Sequence, residues 1–297
     1  MTIQLTKMKR MMLRAAWSAG LVLWCVGIGG MVPDPASEGH ASDHITLRVP
    51  GTTVPFTMAR CAGGEIEADG KEDSILVEDC FVLTTEVTWD LYDIYVYELD
   101  EPDGSSEADG VSRPSKPYIP PDRGFGHDGY PAIGMTYAAA TGFCDWLSLK
   151  TGLDVRLPTA AEWVYFTVGD SEAEYCCEHD QDSLTEIAWF TDNAERTTHP
   201  VGLLEANLFG LFDVHGNAAE WVVTDSRKPI AMGGGFRDSA EDCTARSRQK
   251  QNRSWNTSDP QIPKSSWWLA DCSWVGFRFV IETDSIDEEI LKGLTHD

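Results

Sequence analysis

Residues 210–221 read GLFDVHGNAAEW. Two carboxylates, Asp213 and Glu220, stand here among two glycines, an asparagine and a histidine. The stretch is too glycine-rich for a helix interior and too polar for a core strand, so the chain turns tightly while carrying two acids. One physical account is a hard cation, because Ca²⁺ gathers carboxylate and backbone oxygens around a sharp turn. The other is a solvated turn, with Asp213 capping backbone N–H groups and Glu220 facing water. His215 reads as an exposed or capping residue. The stretch alone leaves both accounts open.

Working outward, the chain alternates short strands, two clear helices and long loops. Residues 45–60 read as strand, turn, strand, and 75–89 are β-rich. LYDIYVYEL at 91–99 fits either a short helix or a strand. The acidic, Gly- and Pro-containing segment 100–130 reads as a loop or surface insertion. TYAAATGFCDWLSLKTG at 136–152 has helical apolar spacing and stops at Gly152. RLPTAAEWVYF follows, with Thr159 and Glu162 spaced as a capping box, so a second helix starts near 160. WVGFRFVI at 274–281 reads as one strand, and 284–297 as an acidic tail. Few helices, many loops and no visible repeat give an α+β class.

The N-terminus does not read as fold. Lys7, Lys9, Arg10 and Arg14 precede an apolar run from Ala15 to Met31, and a Pro- and Ser-containing stretch leads to Ala41. This is the pattern of a secretory signal peptide with linker over 1–41. The run is short for a membrane span of about 20 residues, so no transmembrane domain is expected in the mature chain. Residues 42–283 are then one domain, exported to the periplasm or the extracellular space. The net charge of −25 argues against nucleic acid, since phosphate contacts need Lys/Arg patches. Eight cysteines in an oxidising compartment predict disulfides. Seven scattered histidines form no HxxxH or HExxH pair, so a histidine-built metal helix is not expected.

The motifs in order carry more than the composition. EVTWDLY (86–92), TYAAATGFCDWLS, RLPTAAEWVYF, HPVG (199–202), NLFGLFDVHGNAAEW (207–221), GGGFRD (233–238), CTARSRQ (243–249) and GFRF (276–279) together resemble the formylglycine-generating enzyme family, the sulfatase-modifying factors, over roughly 45–282. The resemblance implies an irregular, loop-rich variant of the C-type lectin fold. It also implies a calcium ion held by the Asp213 and Glu220 side chains and the carbonyls of Gly216 and Ala218. Asn193 stands where a second calcium loop of the family would lie. A Cys61–Cys80 disulfide would close a hairpin. By the resemblance Cys144 needs a partner near the GFR motif; Phe279 stands at the usual position, which leaves Cys272. Cys243 has lost its family partner to Phe166, with Cys176 and Cys177 as candidates.

Active members of the family oxidise a client sulfatase cysteine with copper(I) held by two cysteines, and thiolates suit that soft ion. Here Gly235 replaces a serine, Asp238 stands at the first copper cysteine, no second cysteine follows, and Ala219 replaces a tryptophan. Only Arg246 keeps an active-site arginine. Gly235, Asp238 and Arg246 are therefore a candidate pocket without catalytic residues, and copper is not expected. The reading is an exported, calcium-stabilised binding or accessory module whose partner is a protein, peptide or glycan. The alternative is a family enzyme of altered chemistry, generating formylglycine or oxidising another sulfur group with a different metal.

Overall fold

The computed structural model describes residues 44–67, 74–100, 107–117, 120–177, 179–224, 229–286 and 288–295. The leader expected over 1–41 lies outside them. Two sheets and three main helices carry the fold. Strand β1 (His44–Arg48) pairs antiparallel with β2 (Pro55–Cys61), as the strand–turn–strand reading requires. The hairpin β3 (Gly64–Glu67) and β4 (Ser74–Val77) stands apart, and β5 (Cys80–Leu83) returns to β2.

The ambiguous stretch resolves as helix α1 (Trp89–Tyr97), N-capped by the Thr88 side chain, with six residues buried. Burial on several faces explains the ambiguity, because a helix apolar nearly all round shows no clean period. Helix α2 (Tyr137–Thr151) starts at the Thr136 cap and ends at Gly152, whose φ of 75° suits glycine. After β6 (Val155–Arg156), the expected capping box opens α3 (Ala160–Val168): Thr159 accepts from the Glu162 N–H and Glu162 from the Thr159 N–H.

The second half is short strands and turns: β7 (Ala188–Trp189), β8 (His215–Gly216), β9 (Ala219–Val222), β10 (Ile230–Met232), β11 (Arg248–Lys250), β12 (Val275–Gly276) and β13 (Val280–Glu282). The main sheets run in the orders β1-β2-β5-β13-β6 and β11-β10-β9-β12. WVGFRFVI is thus not one strand. Its two ends join different sheets, and Phe277–Phe279 cross between them, their outer carbonyls accepting from the Val87 and Leu83 N–H groups.

Two further expectations are corrected. The acidic tail is not all tail: helix α4 (Glu288–Thr295) packs on β1 and buries Leu294. An apolar stripe of Ile290, Leu291 and Leu294 against the core supplies the driving force. The seven described cysteines are free thiols, so neither Cys61–Cys80 nor Cys144–Cys272 is bonded. Cys61 and Cys80 do stand directly opposite on β2 and β5.

Candidate functional site: a buried carboxylate centre

The turn that carries Asp213 and Glu220 is buried, not solvated. Asp213 and Asn217 take left-handed backbone at φ 54° and 50°. Gly216 lies between them at φ 72°, where an added Cβ would sit 2.2 Å from the Trp189 carbonyl oxygen. Only glycine lets β7 and β8 approach so closely. The turn delivers Asp213 and Glu220, 2 % and 1 % exposed, to the junction of the two sheets.

Glu220 is fully engaged. It accepts from the Trp163 indole N–H of α3 at 2.9 Å and from Arg278 Nε and Nη2 at 2.9 and 2.8 Å. Arg278, itself 1 % exposed, also donates to the carbonyls of Leu83 and Phe212. A third acid joins them. Glu86, fully buried, accepts from the Ala218 N–H at 3.3 Å, and after burial itself its strongest influences are the charges of Asp213 and Glu220. Three buried carboxylates therefore share one guanidinium.

This excess shows in the titration and in the hydrogen bonds. Burial pushes Asp213 up to about 6, against the pull of the Gly202 N–H bond and of Arg278. Burial and the two neighbouring acids push Glu86 well above the carboxylate range. Asp213 Oδ2 accepts from Gly202 N–H at 2.6 Å, but Asp213 Oδ1 and Glu86 Oε2 are buried without a partner. Buried unpaired acceptors cost about 1–3 kcal/mol each, more when charged. A hard cation would satisfy both oxygens and balance the charge, and an all-oxygen donor set suits Ca²⁺. The oxygens open to such an ion are Asp213 Oδ1 and Glu86 Oε2, whereas both oxygens of Glu220 are already taken by Arg278 and Trp163.

The sequence reading named Asp213 and Glu220 but missed Glu86 and Arg278 as members of the centre. The signal was there for Arg278, the lone charge in WVGFRFVI, because a buried charge must find a partner; Glu86 shares the run 75–89 with Glu78 and Asp79. His215 is corrected. It is 0 % exposed, with Nδ1 2.8 Å from the Cys243 carbonyl and Nε2 accepting from the Cys176 N–H. Those bonds fix a neutral ring, and burial pushes its pKa down to about 4. The unfolded histidine titrates near 6.5, so unfolding takes up a proton between pH 6.5 and 4. The His215 contribution is complete above pH 6.5 and falls by about 3 kcal/mol as pH drops to 4. Histidine-selective ¹⁵N NMR should show one ring neutral well below pH 6; a spectrum in which no ring stays neutral below pH 6 would contradict this.

The other candidates fall apart from the centre. Gly235 and Asp238 meet: Asp238 Oδ2 accepts from the Gly235 N–H at 2.9 Å and from Gln249 Nε2 at 2.5 Å. Gln249 Oε1 in turn accepts from the Trp274 indole, on which Arg237 stacks at 3.6 Å. Arg246 turns elsewhere, donating to the carbonyls of Ser171, Glu172 and Ala173. Asn193 spends both ends of its side chain on its own loop, at the Phe190 N–H and the Ala188 carbonyl. Among the described residues no helix is long and apolar enough to cross a membrane.

Comparison with known proteins agrees with this architecture. The profile of the sulfatase-modifying factor enzyme 1-like domain matches residues 40–283. The formylglycine-generating enzyme of Mycobacterium tuberculosis is 33% identical over 109 residues, 33% of this chain and 34% of that protein. Serine/threonine-protein kinase pkn1 of Chlamydia caviae is 32% identical over 97 residues, 32% of this chain and 14% of the relative. The alignments therefore span well under half the length of these curated relatives. Among solved structures, Treponema denticola variable protein 1 superposes with a TM-score of 0.57 at 19% identity, covering 80% of this chain and 99% of that one. Similarity at that identity speaks for the fold.

Proposed function

Since the chain belongs to the sulfatase-modifying factor enzyme 1-like domain family, we propose that it is a non-catalytic, exported binding or accessory module of that family, built on the loop-rich C-type-lectin variant and stabilised by calcium at the buried carboxylates. The observation that carries this reading is Asp238. Its carboxylate is held by the Gly235 N–H and by Gln249, which belongs to the Trp274–Arg237 stack. A soft Cu(I) ion needs thiolates, and hard oxygens already spent on hydrogen bonds do not fit it. Cys243, the cysteine next along the chain, is fully buried, with its thiol pushed far up by burial. Arg246, the retained arginine, is occupied in bracing the 171–173 loop. The partner is a protein, peptide or glycan.

The competing reading, an enzyme of altered chemistry, draws on the partial similarity to a formylglycine-generating enzyme. One assay tests the formylglycine-generating form of that reading. The purified protein is incubated with Cu(I), oxygen and a sulfatase-type CxPxR peptide, and mass spectrometry follows the cysteine. No conversion above a metal-only control is expected. Turnover that survives removal of free copper would overturn the non-catalytic reading.

A further inference from the structure

Away from the buried acids, three ligand-type side chains converge at the surface. His179, Glu186 and Glu205 each offer one donor atom, and these atoms lie within 4.8 Å of one another. His179 and Glu186 lie on one short stretch and Glu205 on a later loop, a spacing that matches no metal-binding motif. The 3-10 turn Leu184–Glu186 carries one acid, and the Glu205 N–H donates to the Glu186 carbonyl at 3.1 Å, which pins the second beside it.

The imidazole is oriented for the task. His179 Nδ1 lies 3.2 Å from the Cys176 carbonyl, which fixes the N–H there. The lone pair is then on Nε2, the atom that faces Glu186 Oε2 at 3.4 Å. An imidazole held through its far nitrogen by a backbone carbonyl is how metal-binding histidines are set. The His179 side chain is 11% exposed while that of Glu186 is 62%, so a fixed nitrogen meets carboxylates that solvent ions can reach. Two neighbouring acids on a chain of net charge −25 also repel each other, and a protonated histidine would neutralise only one.

We propose that His179, Glu186 and Glu205 form a surface site for a zinc-type divalent cation. One nitrogen and two carboxylate oxygens suit Zn²⁺ with a fourth position left to water. Ca²⁺ and Mg²⁺ prefer all-oxygen sets, so this donor set differs from that of the buried centre.

The test is calorimetric titration of the full chain with zinc chloride, in saturating calcium. A parallel series uses Cys177→Ser, because the Cys177 thiol, lowered to about 7 chiefly by its hydrogen bond with Cys176 and lying near His179, is the competing zinc ligand. One zinc per chain is expected in the wild type and in Cys177→Ser. His179→Ala and Glu205→Gln should each weaken it by at least about tenfold, the lower cost of losing even an outer partner of a zinc ligand. Both acids are exposed, so Glu205→Gln should unfold like wild type in zinc-free buffer. Absence of zinc binding, binding abolished by Cys177→Ser, or binding unchanged in both His179→Ala and Glu205→Gln would overturn the proposal.

Discussion

Replacing Arg278 with leucine is expected to lower the unfolding free energy by about 3–5 kcal/mol, the cost of leaving a buried ion pair with one partner. The reasoning is charge and hydrogen-bond accounting at one point of the core. Arg278 is the cation that Glu220 holds through two nitrogens, and Glu86 and Asp213 feel its charge as well. Without it three buried acids face one another, and the carbonyls of Leu83 and Phe212 lose their donor. Arg278→Lys keeps the charge but not the fork, so it should fall between wild type and Arg278→Leu. Urea unfolding at neutral pH measures the difference. A loss below about 1 kcal/mol, the scale of an exposed pair, would mean the acids are not charged in the fold.

Saturating calcium is expected to raise stability by about 2.7 kcal/mol at a hundred times its Kd and about 4.1 at a thousand times. The effect depends on pH in a defined direction. The acids must ionise to bind the ion, and Asp213 is pushed up to about 6. The calcium increment should shrink as pH falls through 6, where Asp213 takes up its proton. In chelator the sign reverses for this group. Its folded pKa lies above the unfolded value of 3.8, so its favourable contribution is present below pH 3.8 and lost as pH rises through 6. Melting curves with calcium and with chelator should therefore diverge from pH 5 to pH 7.5. Asp213→Ala should remove the calcium increment. A midpoint indifferent to calcium at pH 7.5 would exclude the ion.

Much of this architecture was legible locally. Thr136 with Gly152, and Thr159 with Glu162, mark helix ends because capping is decided by residues three or four apart. What escaped was decided at long range. Nothing local says that WVGFRFVI divides between two sheets, because the division depends on Arg278 reaching Glu220, 58 positions away. His215 looked like a turn residue, yet the carbonyl and N–H that hold it belong to Cys243 and Cys176. The carboxylate centre was half visible: the turn supplied Asp213 and Glu220, while Glu86 sat unremarked in a strand-like run until the fold brought it to the Ala218 N–H. Gly235 and Asp238 share a hydrogen bond within one turn, while the Arg246 guanidinium donates to the carbonyls of another loop.

The strand order of the five-stranded sheet also sets a schedule for synthesis. β13 at residues 280–282 lies between β5 and β6, which the ribosome makes far earlier. Until it arrives, β5 and β6 present unpaired edges to each other, and Val82 and Val155 have no neighbour in the sheet between them. At about 5–20 residues per second the wait is roughly ten seconds. During that interval the nascent chain holds a gap rather than a sheet. The centre is also incomplete, because Arg278 emerges only just before β13. Completion of the core is therefore a late event, and a chain that stays open this long remains available to machinery that handles unfolded polypeptide.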